Sequence, residues 1–271
     1  MHLVGEGISA LSNIVVNVIG VGRVSSSLTR NLSGKVKFGY VISRDKRKAE
    51  SLAKEISAEA KTYDDDFLLN GVLLIGVGDS VLADIPKMLQ GKVGSDVIAI
   101  HFSGFLPSDI LPQDWSPASM HPNCAVANEW QKFNDVVFGI EGAEKGLQIA
   151  KCLVELIGAK YVVIPKEKKA EYHLAAVIAS NFPVALAYLS QRLYMDIGFS
   201  EELSRKVISK LLESVSQNIG SKQLKDALTG PIKRGDWEVV ESERKIFNAK
   251  FPEYKTLYEI MVEILREINE Q

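Results

Sequence analysis

Two hydrophobic rhythms run along the chain. As far as about residue 165, short runs of β-branched and aliphatic residues recur at Ile14–Ile19, Lys35–Ile42, Gly71–Val77 and Val97–His101. Shorter runs follow the same habit at Ala60–Tyr63, Ala118–Asn123, Val136–Ile140 and Tyr161–Ile164. Runs of this length, apolar on both faces and bounded by glycine, serine or aspartate, predict buried parallel strands. Helical spacing lies between them: Ser26, Leu28 and Leu32; Ala49, Leu52, Ala53 and Ile56; then Val81–Leu89 and Glu144–Ile157. Asp64–Asn70 predicts a single connecting turn of helix. Strands alternating with helices of about ten residues predict a doubly wound, mainly parallel α/β sheet.

Beyond Lys166 the rhythm changes, and only helical patterns remain. They cover Lys168–Tyr194, Glu201–Ile219, Asp236–Asn248 and Pro252–Glu270. The expected division is therefore residues 1–165 as an α/β domain and 166–271 as an all-α domain. Lys168–Tyr194 is apolar enough to predict a buried central helix, kinked where Pro183 deprives the Ala179 carbonyl of its donor.

The first strand ends in the stretch Gly20-Val21-Gly22-Arg23-Val24-Ser25. Strand, glycine turn and helix in that order match the dinucleotide fingerprint G-x-G-x-x-G with serine in the third slot, and so predict a Rossmann-type domain. Gly20 permits the tight turn, and Gly22 lets backbone approach a pyrophosphate. The helix beginning at Arg23 and Val24 offers free N–H groups to that anion. The end of the second strand faces the adenosine ribose in such a fold, where NAD-specific sites place an acid. Ser43 and Arg44 stand there instead, and a guanidinium holds a 2′-phosphate bidentately, so the expected cofactor is NADP. The alternative at this point is a solvated charge run with Asp45 as a helix cap. Ligands of parallel sheets sit at the carboxyl ends of strands. That rule adds Val77, Gly78, Asp79, His101 and Ser103 to the expected cofactor rim.

Composition narrows the class. With 46% hydrophobic and 24% charged residues in 271, the chain has the makeup of an ordinary globular protein of about two domains. A net charge of −2 does not suit a general nucleic-acid binder. No run was read as reaching the roughly 20 apolar residues of a membrane span, and MHLVGEGISALS lacks the basic and apolar regions of a secretory signal. Two cysteines, Cys124 and Cys152, and four scattered histidines give no disulfide framework and no metal spacing. The expected setting is the cytoplasm, without a structural metal.

A dinucleotide domain followed by a helical half resembles the 6-phosphogluconate-dehydrogenase-like superfamily, with its ketopantoate reductases and pyrroline-5-carboxylate reductases. GVGRVSSSL from Gly20, HFSG from His101, His121-Pro122, YHLAAVIASN from Tyr172 and LTGPIKRGD from Leu228 are more closely similar to one two-domain family. Its C-terminal half is a domain of unknown function, number 2520. The resemblance implies an NADP-binding fold and an oxidoreductase, and supplies no substrate. It also suggests a homodimer built by the helical half, where burial of the Lys168–Tyr194 helix needs a neighbour.

Lys169, His173, Val177 and Asn181 follow one another at i, i+4 and share a helix face. β-Hydroxyacid dehydrogenases carry a proton-donating lysine four residues before the corresponding asparagine. If Asn181 is that asparagine, the lysine slot holds Val177, which transfers no proton. His173 is then the nearest titratable replacement, with Asn181 orienting the substrate. His121, at a strand end on the cofactor rim, is the third candidate. The expected function is an NADP(H)-dependent reductase of a small carbonyl or imine; the alternative is a non-catalytic NADP-binding sensor. Thr229, Arg234 and Asp236 lie in a turn-rich block whose role the sequence leaves open.

Overall fold

The computed structural model describes residues 14–270. Met1 to Asn13, where the chain was read for a secretory signal, and Gln271 lie outside the described residues. The first part is a single eight-stranded sheet in the order β3-β2-β1-β4-β5-β6-β7-β8. β1 is Val15–Ile19, β2 Lys37–Ile42, β3 Glu59–Lys61, β4 Leu69–Ile75 and β5 Val93–His101. β6 is Ala118–Pro122, β7 Val137–Gly142 and β8 Lys160–Val163. All neighbours pair in parallel except β6 with β7. Order reverses between β1 and β4, so a crevice opens at their carboxyl ends, where such folds bind ligands.

The helices of this part are α1 (Arg23–Leu32), α2 (Lys46–Ile56), α3 (Asp79–Leu82), α4 (Ile85–Met88) and α5 (Glu144–Leu156). They cover both faces, and successive strand residues feed two separate cores. Val72 and Leu74 of β4 join a cluster with Val16, Val18, Leu28 and Ile100. Leu69, Leu73 and Ile75 join Ile19, Ile85, Leu89 and Trp115 on the other face. Asn17 interrupts the apolar run of β1 for a reason. Its Oδ1 accepts from the Tyr40 amide at 3.0 Å and its Nδ2 donates to the Asn70 carbonyl at 2.8 Å. The side chain thus satisfies backbone where the β1–β2 register shifts.

Two local expectations are corrected. Val81–Leu89 is not one helix but the pair α3 and α4, because the chain bends at Ala83–Asp84 and restarts with Pro86 in the first turn. Asp64–Asn70 makes no helical turn. Asp65 there accepts from the Thr62 amide and hydroxyl, and β4 has begun by Leu69.

A loop from Asn123 to Asp135 leaves β6 and lies along α1. Ser27 Oγ donates to the Asn128 carbonyl at 3.1 Å, while Asn31 donates to the Gln131 carbonyl at 2.8 Å and accepts from the Phe133 amide at 3.3 Å. Arg30 pairs with Glu55 and lies over the Trp130 ring.

The remaining helices are α6 (Lys169–Asp196), α7 (Glu201–Ser221), α8 (Leu224–Ala227), α9 (Pro231–Arg234), α10 (Trp237–Lys250) and α11 (Lys255–Glu270). The chain separates into two compact units, up to Pro183 and from Val184, with the division inside α6. In the second unit, Ser200 caps α7 by accepting from the Leu203 amide, and Gly230 and Gly235 bracket α9 with positive φ. Its buried side chains are few, among them Leu189, Ile208, Ile232, Val240 and Phe251.

The expectation of a buried central helix fails for the single chain. Leu174, Ile178 and Phe182 of α6 are exposed, as is Val184. The stretch Lys166–Asp196 is also long and apolar enough to cross a membrane by length and composition, with a mean hydropathy of 1.4 over its most apolar window, of which 6% is buried. This corrects the expectation that no run approaches the length of a membrane span: averaged hydropathy passes over the polar breaks at Ser180 and Asn181.

Candidate functional site

Backbone contacts fix the carboxyl ends of β1 and β4 to one another. The Gly20 amide donates to the Ile42 carbonyl at 2.8 Å, and the Gly76 amide to the Ile19 carbonyl at 2.7 Å. Gly20 has φ +88°, and a Cβ on it would lie 2.6 Å from the Gly76 carbonyl oxygen, so the turn requires glycine. Gly22 is the N-cap of α1 and brings no side chain to its amides; the first turn holds no acid. Those N–H groups and the positive end of the helix stay available to an anion. The serine in the third fingerprint slot is matched from β4. A Cβ on Gly76 would lie 2.2 Å from Ser25 Cβ, so the glycine there makes room for the serine. Ser25 Oγ lies 2.7 Å from the Gly20 carbonyl and 3.1 Å from that of Gly22, bracing the turn.

Beside this turn lies a recess of about 170 Å³ lined by Gly20, Val21, Ser43, Arg44, Val77 and Gly78. Arg44 is exposed, and no carboxylate lines the recess. Asp45, one residue on, caps α2 by accepting from the Lys48 amide at 3.2 Å, which turns its carboxylate to that helix. Gly78 has open space where a side chain would stand. An uncapped helix end, a glycine-only turn and a cationic recess together fit the phosphates of a dinucleotide.

Deeper along the rim, Ser103 Oγ donates to Asp79 at 2.8 Å and accepts from the Leu106 amide at 2.9 Å. These two side chains therefore hold the turn after β5. His101 is 0% exposed and its Nδ1 accepts from the Ser103 amide, which places it out of reach of a bound molecule. Burial, with the charge of Lys169, pushes its pKa down to about 3.

Sheet register sets His101, Ser119 and Glu141 side by side across β5, β6 and β7. Lys169 of α6, only 2% exposed, closes over that row. Its Nζ donates to the Ser103 carbonyl at 2.7 Å and to Ser119 Oγ at 2.5 Å. Glu141 accepts from the amide and hydroxyl of Ser108. Burial lowers the lysine to about 8, although Glu141 and Asp79 pull the other way. The bonds of Lys169 pin the start of α6 to the strand ends.

One and a half turns of α6 further on, a cleft of about 600 Å³ opens. It brings His121 of β6 together with Tyr172, His173, Val177 and Asn181 of α6, and with Asn123 beyond β6. The three residues singled out from sequence thus share one cavity. His121 and His173 stand edge to face with ring centres 6.1 Å apart, and His173 packs likewise against Phe105. His121 Nδ1 lies 2.9 Å from the Tyr172 hydroxyl. Burial first, then Lys169 and His173, pushes His121 down to about 4, so the ring is neutral at pH 7. Asn181 Oδ1 accepts from Ser180 Oγ at 2.9 Å on the exposed side. Cys124 lines the cleft with its thiol pushed up by burial, which makes it a poor nucleophile. In the second unit, Arg234 pairs with Asp236 at 2.8 Å on the surface.

Sequence reasoning passed over Tyr172 and gave Lys169 no task beyond sharing a helix face. Both lie within five residues of His173, Tyr172 at the head of the block that carries the family resemblance and Lys169 just before it, yet their partners lie 50 and more residues away. Gly104 was passed over as well: a Cβ there would stand 2.7 Å from His173 Cδ2 and 2.8 Å from His121 Nε2.

Residues 136–264 match the family described as Domain of unknown function (DUF2520). The crystal structure of protein TM1727 from Thermotoga maritima is similar over 94% of this chain and 98% of that one, at 39% identity and a TM-score of 0.79. A candidate NADP oxidoreductase from Bacteroides fragilis, BF3122, is 20% identical over 94% of this chain and 98% of its own, with a TM-score of 0.74. Pyrroline carboxylate reductase from Plasmodium falciparum, solved with NADP bound, is 12% identical over 95% and 100%, with a TM-score of 0.57. No curated protein matches the chain.

Proposed function

Because the chain belongs to the DUF2520 family of two-domain Rossmann-like proteins, we propose that it is an NADP(H)-dependent oxidoreductase that reduces a small carbonyl or imine compound. The observation that carries this reading is the shared rim. A glycine turn at the reversal of strand order and a cleft bearing two imidazoles open at the carboxyl ends of the same sheet. A bound reduced nicotinamide cofactor supplies a hydride. The amides at the start of α1 hold the pyrophosphate, Ser43 and Arg44 hold the 2′-phosphate, and Val77 and Gly78 wall the recess between. An imidazole of the cleft supplies the proton, and Asn181 orients the substrate. The Bacteroides and Plasmodium proteins, named for NADP, support this cofactor. The free cysteines suit a reducing compartment such as the cytoplasm.

The same reading includes a homodimer formed through the helical half. Ile197 is 72% exposed and Val184 69% exposed, and Leu211, Val215 and Ile219 lie open along α7. Apolar surface of this extent marks an interface, and burying it against a second copy completes a core that one chain leaves unfinished.

Calorimetric titration of NADPH and NADH tests the cofactor. NADPH is expected to bind about ten- to a hundredfold tighter in the wild type, and Arg44→Ala to erase the difference, since a charge-assisted contact contributes about 1.5–3 kcal/mol. Equal affinities in the wild type would sink the assignment. Turnover is then assayed as NADPH oxidation with 2-keto acids, ketopantoate-like acids and cyclic imines. Val177 in the lysine slot and the sealing of Lys169 favour a second reading, a sensor that binds NADP without chemistry. Tight NADPH binding with no oxidation across those substrates selects it.

A further inference from the structure

Two imidazoles border the cleft, and their surroundings differ. Both approach Gly104 at the end of the β5 turn, in space that any side chain would fill. His121 brings Nε2 and Cδ2 to that space, whereas the nearest atom of His173 is a ring carbon, Cδ2. Among the described residues His121 Nε2 has no hydrogen-bond partner, while Nδ1 meets the Tyr172 hydroxyl at 2.9 Å.

That contact decides where the imidazole proton sits. The phenol lies 2.9 Å from Nδ1 and 3.3 Å from the His121 carbonyl. An O–H···O bond is ordinarily 2.5–3.0 Å long, so the carbonyl is a poor acceptor and Nδ1 the good one. The hydroxyl therefore donates to Nδ1, and the ring of this cleft-lining histidine carries its own proton on Nε2, on the side of Gly104. Tyr172 is held in turn by shape. Its ring fills the place where a side chain on Gly139 of β7 would stand, and it meets His121 edge to face at 5.6 Å.

Resting on the reductase reading above, we propose that His121 delivers the proton through Nε2 and that Tyr172 is the positioning residue that keeps it there and lends Nδ1 a proton as it leaves. As the carbonyl carbon gains hydride from the reduced nicotinamide, the π pair becomes a lone pair on oxygen. That oxygen forms its O–H bond with the Nε2 proton as the Nε2–H bond breaks, while Nδ1 takes the Tyr172 proton. Water then protonates Nε2, Nδ1 returns its proton to the phenolate, and hydroxide leaves, so the Nε2–H ring and the phenol are both restored. Burial pushes the phenol up to about 12, so it holds its proton at neutral pH yet remains a stronger acid than an alcohol. A neutral donor of this kind suits a carbonyl, whose reduction leaves an alkoxide; an imine needs protonation before hydride transfer. His173, with its Cδ2 toward Gly104, shapes the wall.

Nitrogen-15 NMR of histidine-labelled full-length protein, with and without NADP, tests the arrangement. The wild type is expected to show His121 as the Nε2–H tautomer. Tyr172→Phe is expected to give a tautomer mixture and to lower kcat about 10- to 100-fold with NADPH affinity unchanged. Gly104→Ala, which crowds Nε2 directly, should lower kcat while leaving the tautomer alone. An Nδ1–H tautomer in the wild type, or one indifferent to Tyr172→Phe, overturns the proposal whatever the activity. Failure of the wild type to bind NADPH sinks the reductase reading and the relay with it, and leaves the measured tautomer as a separate result.

Discussion

The sheet unit and the helical unit bury their apolar residues in opposite ways. In the sheet unit, every strand from β1 to β7 except the short β3 has side chains at or near zero exposure, and the two faces of the sheet are covered by helices of the same chain. In the helical unit, leucine, isoleucine and valine stand open along α6, α7 and α11, and only a handful are sealed. Polar groups divide the same way. The sheet unit buries Lys169, Glu141 and His101, each with hydrogen-bond partners, while the ion pairs of the helical unit, such as Arg205–Glu201, are exposed and contribute little. A parallel sheet needs covering on both faces before it is stable at all. A helix bundle can leave a face for another molecule. The candidate site lies in the part that is finished, and the proposed dimer would use the part that is unfinished.

The comparison predicts a graded set of responses. The largest belongs to the sealed core: Leu74→Ala should cost about 2–5 kcal/mol, read as a lowered urea midpoint. A loss under about 1 kcal/mol would mean that the sheet is not packed as described. Next comes acid. His101 is held at about 3 against an ordinary 6.5. The unfolded chain therefore takes up its proton first, and stability present above pH 6.5 is lost as pH falls, by about 3 kcal/mol at pH 4. His121, held at about 4, adds to the same slope. Lys169 acts at the other end. With its folded value lowered to about 8 from 10.5, stability rises between those two values. Urea midpoints across pH, with Lys169→Met for comparison, check this. A variant with the wild-type rise above pH 8 would remove Lys169 as its source.

A smaller effect is expected at the glycine turn. Gly76→Ala drives a Cβ into Ser25 and should cost about 1–3 kcal/mol. Adding Ser25→Gly should recover part of that loss if the clash is its cause. The smallest change in folding stability sharpens the comparison most. Val215→Asp on α7 should shift stability by no more than about 0.5 kcal/mol in the dissociated chain. Yet it should turn a dimer into a monomer by light scattering. A wild type that is already monomeric, or a variant that stays dimeric, would move the interface elsewhere.

What could be read from sequence follows from how local each cause is. Gly20, Gly22 and the apolar run before them report a turn whose requirements lie within ten residues, so the Rossmann topology was legible early. The helical half was legible as helices for the same reason. Long-range pairings hid the rest. Ser25 looked like a departure until Gly76 was seen to yield space to it. His101 looked like a rim residue because strand-end position is sequential, but its ring is fully buried, with Nδ1 accepting from the Ser103 amide. Tyr172 was one more aromatic on an apolar helix until β6 brought His121 to it. The split between α3 and α4 was hidden because helical spacing of apolar residues survives a bend.

The loop laid along α1 has a consequence for how the molecule is made. Ser27 and Asn31 find their partners at Asn128, Gln131 and Phe133, about a hundred residues later. As the chain leaves the ribosome, the helix after the glycine turn exists long before the segment that satisfies its outer side. Contacts of such separation form slowly. A fragment ending after β5 would keep the whole glycine fingerprint and still lack the strap, so we expect its first helix to exchange amide protons far faster than in the complete chain.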